Sequence, residues 1–305
     1  MKVVFVIPVF NECKTVETLA EGIARHVQGI DHRILFVDDG SSDGSSEILS
    51  RLCERSDRIG FIKLKRNYGK SHALAAGFSR AEGDIVVMMD ADLQDDPEEI
   101  PRMLAKLDEG YDLVCGWKQI RNDPWRKTIP SKIYNWAVSR AFGLSLHDIN
   151  TGFKAMRMET AKRLPLVGDM HRMIAVFAAG MGYRVTEIPV VHHPRRFGRS
   201  KYGFSRFYGG AADASAVWLM RGDAKRYGQW LDRIKMVFGA FCLVAAAGAI
   251  AAALSRHPLI ALGCALVAAG CAGIMVCNQS ILSRLRRRPL SAADIDASIE
   301  SAIIR

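Results

Sequence analysis

The stretch Ile85-Val86-Val87-Met88-Met89-Asp90-Ala91-Asp92-Leu93-Gln94 decides the fold, because five apolar residues end abruptly in two carboxylates. An apolar run of this length is typical of a central strand in a parallel sheet, where both faces are buried. In open α/β sheets, ligands bind at the carboxyl ends of such strands. Asp90 and Asp92 share one side of an extended chain, so both can reach one hard cation such as Mg²⁺ or Mn²⁺. An isolated Asp-x-Asp can also be part of a turn that ends a strand, so the remaining motifs are needed to distinguish a metal site from a turn.

Runs of β-branched and aromatic residues recur along the first 120 residues, each followed by a polar turn and a helical pattern. The predicted strands are residues 3–7, 34–37, 61–64, 85–89 and 113–118. Between the first two, Val16, Leu19, Ile23 and Val27 recur at helical spacing. This alternation of strands and helices predicts an α/β fold with a doubly wound, mostly parallel sheet.

Polar and charged residues gather where these strands are expected to end. Asp38 and Asp39 follow the second strand, and the glycines and serines after them allow a tight loop. A helix that begins near Ser71 would direct its N-terminal amides, together with the charge of Lys70, toward an anionic ligand group. The sequence therefore predicts a ligand site along one edge of the sheet.

Four ordered motifs in this region are similar to those of family 2 glycosyltransferases of the GT-A fold. They are Ile7-Pro8-Val9-Phe10-Asn11-Glu12, Val37–Asp43, Asn67-Tyr68-Gly69-Lys70 and Asp90–Gln94. Over residues 1–210 the chain more narrowly resembles the polyprenyl-phosphate glycosyltransferases, the group that includes dolichyl-phosphate mannose synthases and bacterial bactoprenyl glucosyl- and aminoarabinose-transferases. The resemblance implies a GT-A domain that binds a nucleotide sugar.

The resemblance also implies roles for the residues that match these motifs. The expected nucleotide-sugar contacts are Pro8, Phe10, Glu12, Val37, Asp39, Lys70, Asp90, Ala91, Asp92, Gln94 and Lys118. Among them, Asp90, Asp92 and Gln94 are the expected ligands of Mg²⁺ or Mn²⁺. A divalent ion held by carboxylates acts as a Lewis acid and neutralises the departing diphosphate, so Asp92 is also expected to be catalytic.

Two further segments match family motifs close to the acceptor. Asp148, in Asp148-Ile149-Asn150-Thr151-Gly152-Phe153-Lys154, corresponds to the aspartate usually called catalytic. An acceptor that is already a phosphate anion needs no strong base, so Asp148 could equally orient a sugar hydroxyl or a phosphate-binding cation. The segment His192–Tyr202 resembles the family's Arg-x-Phe-Gly-x-Ser-Lys-Tyr motif, which implies that Arg195, Ser200 and Lys201 contact the phosphates.

Two long apolar runs follow the motif region. Neither Met236–Leu254 nor Pro258–Cys277 contains a charged residue, and each approaches the roughly 20 residues that span a bilayer as a helix. Residues 1–193 contain 26 basic and 26 acidic residues, whereas residues 194–235 contain 10 basic and 3 acidic ones. Because the positive charge flanks the apolar runs, both ends of a helical hairpin are expected in the cytoplasm. A pair of buried soluble helices is the alternative, since the runs are rich in alanine and glycine.

The expected organisation has four parts: a cytoplasmic GT-A catalytic domain over 1–201, amphipathic membrane-interface helices over 202–233, a transmembrane hairpin over 234–279 and a cytoplasmic tail over 280–305. Aromatic and basic residues are interspersed in the second part. A membrane surface explains them better than nucleic acid does, because an apolar hairpin follows directly. Met1-Lys2 leads straight into a β-like run, so no signal peptide is expected and a bacterial inner membrane is the expected location. The 7 cysteines form no C-x-x-C pair, which favours reduced thiols.

These features predict a membrane-anchored, metal-dependent, inverting glycosyltransferase that moves one sugar from a UDP- or GDP-linked donor to a polyprenyl phosphate. A processive polysaccharide synthase is disfavoured, because the sequence lacks a Gln-x-x-Arg-Trp motif and further membrane helices. A non-catalytic nucleotide-sugar-binding scaffold stays open, although the intact Asp90, Asp92 and Asp148 argue against it. The sequence leaves open the base, the sugar, the lipid length and whether the protein forms a homo-oligomer.

Overall fold

A computed structural model of the protein describes residues 1–119, 125–195, 213–215, 217, 224–254, 257–285 and 288–304. The chain divides into two compact units. Residues 1–207 and 288–305 form an α/β unit, and residues 208–287 form a helical unit.

The α/β unit is built on an eight-stranded sheet with the spatial order β7-β5-β6-β4-β1-β2-β3-β8. The strands are β1 (Lys2–Val9), β2 (Asp31–Asp38), β3 (Ile59–Leu64), β4 (Ile85–Met88), β5 (Leu113–Lys118), β6 (Lys154–Arg157), β7 (Val185–Val190) and β8 (Ile299–Ile303). Strands β4, β1, β2 and β3 are parallel, and β7 is parallel to β5. Only β6 and β8 run antiparallel to their neighbours in this sheet. The predicted α/β fold and its mostly parallel sheet are confirmed.

Helices connect these strands and cover the sheet. They are α1 (Val16–His26), α2 (Ser45–Arg55), α3 (Lys70–Arg80), α4 (Ile100–Asp108), α5 (Trp125–Phe142), α6 (Met158–Arg163) and α7 (Ile174–Gly180), with 3₁₀ turns at Pro97–Glu99 and Met170–Met173. The predicted periodicity of α1 is confirmed, because Val16, Leu19 and Ile23 are buried on one face. This face packs into the core beneath β1 and β2.

Strand β4 lies in the middle of the sheet, between β1 and β6. All four of its residues are buried, which explains why the strand shows no polar alternation. Because β1, β2, β4 and β5 point the same way and β6 points the opposite way, four carboxyl ends and one amino end meet at a single edge. That edge carries Asp38, Asp90, Lys118 and Lys154.

The helical unit consists mainly of α8 (Ala224–Leu254) and α9 (Pro258–Leu285), which pack against each other. Two candidate membrane spans lie within them, Leu231–Ala251 and Cys264–Arg284. Large apolar side chains in both spans are exposed, with Leu243 at 74% and Leu266 at 65%, as expected for a transmembrane hairpin and not for core helices of a soluble domain. Residues 224–233, expected to be interface helix, are the first turns of α8; most of 202–223 lies outside the described residues.

The C-terminal segment returns to the α/β unit as α10 (Ala292–Ser298) and β8. Strand β8 pairs with the free side of β3, and the backbone N–H of Lys65 donates to the Ser298 carbonyl at 2.9 Å. Lys63 and Glu300 form an ion pair across the two strands at 3.1 Å. The residues that the sequence left as a tail therefore cover what would otherwise be a parallel-sheet edge.

Candidate active site

The loops after β1 and β2 form one joined surface at this edge of the sheet. The backbone N–H of Asn11 donates to Ser41 Oγ at 2.8 Å, and that of Glu12 donates to Ser45 Oγ at 3.0 Å. Asp38, the last residue of β2, stabilises the second loop by accepting a hydrogen bond from the Ser41 N–H at 2.8 Å. The glycine- and serine-rich sequence after β2 thus provides the hydrogen bonds that hold the two motif loops together.

Pro8 and Val37, both expected near the nucleotide, lie opposite each other in the β1–β2 pair, and Phe10 follows directly after β1. Asp39 lies at the end of β2, where its carboxylate accepts hydrogen bonds from the backbone N–H groups of Tyr68 and Gly69 at 2.7 and 2.8 Å. Burial raises the pKa of Asp39 to about 6, although these two hydrogen bonds act in the opposite direction. Asp39 therefore orders the loop that leads into α3.

Lys70 begins α3 and forms an ion pair with Asp90. Burial alone would raise the pKa of Asp90, but the positive charges of Lys70 and Lys118 hold it below its ordinary value. Gly152 lies directly against this carboxylate, since a Cβ at Gly152 would be only 2.5 Å from Asp90 Oδ2. Two residues therefore define the position of Asp90: Lys70, which pairs with its carboxylate, and Gly152, which has no side chain to displace it.

Asp92 lies beside Arg195, whose Nη2 is 2.5 Å from Asp92 Oδ2. The same guanidinium reaches Glu12, with Nη1 3.7 Å from Oε1. Burial, followed by the charges of Asp90 and Asp95, raises the pKa of Asp92, and Arg195 opposes this shift. Ala91 between the two aspartates is buried. Three predicted residues from three distant motifs therefore meet here.

A short backbone pairing brings Arg195 to this place. The backbone N–H of His193 donates to the Gln94 carbonyl at 2.7 Å, and Gln94 Nε2 donates back to the His193 carbonyl at 3.2 Å. Asp95 and His192 form an antiparallel bridge next to them. The side-chain amide of Gln94, expected at the metal, is used in the structure to hold the segment that carries Arg195.

Sequence reasoning did not select Asp95, which is buried at the centre of this cluster. Lys118 Nζ lies 2.9 Å and His192 Nδ1 3.5 Å from Asp95 Oδ1. Although burial alone would raise the pKa of Asp95, Lys118 and His192 hold it far below the ordinary range. In return Asp95 raises the pKa of Lys118. The sequence signal that could have identified Asp95 is its position directly after the Asp90–Gln94 motif.

Asp148 is also buried, at 2% exposure, and Asn135 Nδ2 on α5 donates to its Oδ1 at 3.2 Å. The backbone N–H of Asp148 donates to Glu187 on β7 at 3.2 Å. Lys154, at the start of β6, is fully buried and donates to the Thr151 carbonyl. Burial lowers the pKa of Lys154, whereas the charge of Asp148 raises it. Lys154, which was not among the predicted site residues, therefore belongs to the electrostatic surroundings of Asp148.

Asp90 and Asp92 offer hard oxygen ligands at one strand end, which suits Mg²⁺ or Mn²⁺. Within the described residues, no group of three or more His, Cys, Asp or Glu side chains is arranged to hold a metal. Two carboxylates fit an ion that takes its other ligands from a diphosphate and water, as Mg²⁺ commonly does. Ser200 and Lys201, the other predicted phosphate contacts, lie outside the described residues.

Residues 4–165, more than half of the chain, match the family described as glycosyl transferase family 2. Dodecaprenyl-phosphate galacturonate synthase of Rhizobium johnstonii is 34% identical over 78% of this chain and 73% of its own length. Undecaprenyl-phosphate 4-deoxy-4-formamido-L-arabinose transferase of Enterobacter sp. is 41% identical over 67% of this chain. The chain spans 64% of that second relative, slightly less than two thirds.

Solved structures of glucosyl-3-phosphoglycerate synthase from Mycobacterium tuberculosis share the fold. The complex of that enzyme with Mn²⁺ and UDP-glucose superimposes with a TM-score of 0.55 and 21% identity, over 72% of this chain and 78% of the other. The complex with phosphoglyceric acid gives a TM-score of 0.56 at 20% identity over 72% of this chain and 79% of the other. At these identities the likeness concerns the fold alone.

Proposed function

This chain belongs to glycosyltransferase family 2, and we propose that it transfers one sugar from a nucleotide sugar to the phosphate of a polyprenyl phosphate at a membrane surface. The two relatives described above are named for polyprenyl-phosphate substrates. The observation that carries the proposal is the convergence of Glu12, Asp92 and Arg195 from three separate motifs on the edge that also holds Asp90 and Asp148.

The cations of this cluster are suited to a donor diphosphate. Lys70 and Arg195 are each paired with a carboxylate that we propose as a metal ligand, Asp90 and Asp92. A bound diphosphate offers both cations a stronger anionic partner, because phosphate oxygens accept charge-assisted hydrogen bonds from the guanidinium fork. Arg195 and Lys70 would then turn to the phosphates and release the two carboxylates.

Asp90 and Asp92 are the residues that would hold Mg²⁺ or Mn²⁺. A divalent ion supplies Lewis-acid neutralisation of the leaving diphosphate. Gly152 contributes by leaving Asp90 room, and Lys118 by neutralising the buried Asp95 beneath the pair. The site residues thus combine negative charge toward a cation with positive charge toward phosphate.

Transfer requires one bond to form and one to break. An anionic oxygen of the lipid phosphate attacks the anomeric carbon, while the bond from this carbon to the oxygen of the donor's β-phosphate breaks and the nucleoside diphosphate leaves. No proton has to be removed from the acceptor, so Asp148 acts by orientation. Asn135 fixes the Asp148 carboxylate by donating to its Oδ1, and we propose that this carboxylate orients a sugar hydroxyl or a cation. Direct displacement inverts the anomeric configuration.

The topology of the chain supports a cytoplasmic catalytic unit. Residues 1–207 and 288–305 belong to one compact unit, so both ends of the intervening hairpin lie on the same side of a membrane. The excess of basic residues in 194–235 supports a cytoplasmic position for that side, and we propose a bacterial inner membrane. A cysteine introduced at Ser255 should react with an impermeant reagent only from the opposite side; reaction from the cytoplasmic side alone would contradict two crossings.

The test of the function is a transfer assay with the full-length protein in nanodiscs. Undecaprenyl phosphate is supplied with one radiolabelled UDP- or GDP-sugar at a time, and organic-phase radioactivity is measured. We expect at least one donor to label the lipid, and Asp148→Asn to lower labelling by about 100-fold. The matched control is Asp31→Asn, an exposed aspartate at the opposite end of β2, which should transfer normally. Labelling of water-soluble polymer instead of lipid would contradict the proposal and support a polysaccharide synthase.

A further inference from the structure

The carboxylate of Glu187, on the edge strand β7, binds two consecutive residues of another loop. Its Oε2 accepts hydrogen bonds from the backbone N–H groups of His147 and Asp148 at 2.8 and 3.2 Å, and its Oε1 pairs with Nδ1 of the His147 ring. The Glu187 side chain is only 9% exposed. Three polar contacts therefore join β7 to the residue proposed to orient the substrates and to the residue before it.

The ring of His147 is held by a second strand as well. It stacks on Trp117 of β5, with the ring centroids 4.1 Å apart and an interplanar angle of 15°. Glu187 lies opposite Cys115 in the β5–β7 pair, so Glu187 and Trp117 project to the same side of the sheet. The His147 side chain is 65% exposed, yet one strand holds its Nδ1 and the other holds its face. Both contacts restrain the backbone immediately before Asp148.

Other hydrogen bonds hold the two flanks of the loop that carries Asp148. On the α5 side, Ser139 Oγ donates to the Leu146 carbonyl. On the β6 side, Lys154 Nζ donates to the Thr151 carbonyl. The centre of the loop lies between these two attachments, and the β7 carboxylate holds it there through two backbone N–H groups. The place of Asp148 along the edge of the sheet is therefore set from β7.

We propose that Glu187 positions Asp148 for the reaction by holding the backbone of His147 and Asp148 against β7. Asn135 orients the end of the Asp148 side chain, and Glu187 fixes the backbone from which that side chain extends. Such fixing matters because a displacement of about 1 Å at a reacting group costs about 100-fold in rate. This role rests on the proposed function, in which Asp148 orients a sugar hydroxyl or a cation. Glu187 acts through Asp148, so it is a positioning residue and not a catalytic one.

Two conservative substitutions separate the reach of Glu187 from its charge. Glu187→Asp keeps the negative charge but withdraws the carboxylate by about one carbon–carbon bond, roughly 1.5 Å. Glu187→Gln keeps the length, offers a carbonyl oxygen to the two backbone N–H groups and presents its NH₂ group to Nδ1 of His147. If Glu187 positions the loop, the Gln variant retains the function and the Asp variant loses it. A role of the charge alone would reverse that order and would overturn the inference.

Hydrogen exchange tests the attachment independently of any activity. Full-length protein is placed in nanodiscs without substrates, and exchange of the His147 and Asp148 amides is followed by mass spectrometry. We expect exchange to be about tenfold faster in Glu187→Asp and within about twofold of normal in Glu187→Gln. Glu21→Ala, which changes an exposed glutamate of α1, is the matched control and should exchange normally. Unchanged exchange in Glu187→Asp, or faster exchange throughout the α/β unit, would overturn the inference.

A double-mutant cycle tests the consequence for the reaction. Glu187→Asp should lower kcat with undecaprenyl phosphate by about 30-fold while KM for the donor stays within about twofold, and Glu187→Gln should lose at most about threefold. In a protein that already carries Asp148→Asn, Glu187→Asp should cost no more than about twofold, because the carboxylate that it positions is absent. An equal loss in both backgrounds would show a merely structural role and overturn the inference. An unmodified protein that labels no lipid would refute the proposed function, and hydrogen exchange would then decide whether Glu187 holds Asp148.

Discussion

Replacing Gly152 with alanine should disable the donor site while the domain stays folded. A Cβ at this position would lie 2.5 Å from Asp90 Oδ2, 2.7 Å from Cγ and 2.9 Å from Oδ1. Ordinary contact begins near 3.4 Å, so the carboxylate has to move by about 1 Å. The side chain of Asp90 is short and is already paired with Lys70, so the movement changes the position of a proposed metal ligand.

The expected loss follows from that displacement. A misplacement of about 1 Å at a reacting centre costs about 100-fold in rate. Overpacking of a buried site costs about 1–3 kcal/mol, which lowers the melting temperature of a domain of this size by about 2–10 °C. The assay is kcat/KM for the donor in nanodiscs, together with a thermal melt of the same preparation.

Gly180→Ala provides the matched control, because an added Cβ at Gly180, at the end of α7, meets no atom within 4 Å. That variant should keep full activity and an unchanged or slightly higher melting temperature. If Gly152→Ala retained kcat/KM within a factor of about three while Asp90→Asn lost it, the close approach of Gly152 to Asp90 would have no role in catalysis.

Three further predictions concern the metal, the titration of one carboxyl and the C-terminal segment. Excess EDTA and Asp92→Asn should each lower transfer by about 100-fold, and Mn²⁺ should restore only the EDTA-treated protein; full transfer in EDTA would exclude the metal. The folded-state pKa of Asp39 is raised from 3.8 to about 6, so the folded protein favours the protonated carboxyl. The free energy of unfolding, compared with that of Asp39→Asn, should therefore fall by about 2 kcal/mol between pH 4 and pH 7, and a rise in unfolding curves over this range would contradict the prediction. Removing residues 288–305 uncovers β3 and should lower the melting temperature by several degrees, whereas removing 304–305, beyond β8, should not.

Strands β1 to β5 were predictable because each contains an apolar run, and such a run by itself indicates a buried strand. Strand β6 begins with the charged Lys154 and β7 contains Glu187 and Pro189, so neither shows a strand pattern by itself. Strand β8 forms because it pairs with β3, which lies more than 230 residues earlier in the chain. Phe61 of β3, for example, pairs with Ile303 of β8. Only long-range pairing, which no local pattern records, distinguishes these three segments from loops.

The candidate site shows the same division. Asp90 and Asp92 could be selected from the sequence because they follow an apolar strand, and Asp148 because its segment resembles a family motif. The partners that fix their charges come from elsewhere: Lys118 from β5 pairs with Asp95, and Asn135 from α5 pairs with Asp148. Burial decides which of many lysines and aspartates interact strongly, and burial at this edge depends on the order in which the strands assemble.

The central claim is that an oxygen of the lipid phosphate displaces a nucleoside diphosphate from the sugar. Its most direct test is a single reaction with undecaprenyl phosphate labelled with ¹⁸O in its phosphate, followed by mass spectrometry of both products. We predict a lipid monophosphate carrying one sugar and every labelled oxygen, together with unlabelled nucleoside diphosphate in equal amount. A lipid diphosphate-sugar with release of nucleoside monophosphate, or sugar released to water with the lipid unchanged, would contradict the account.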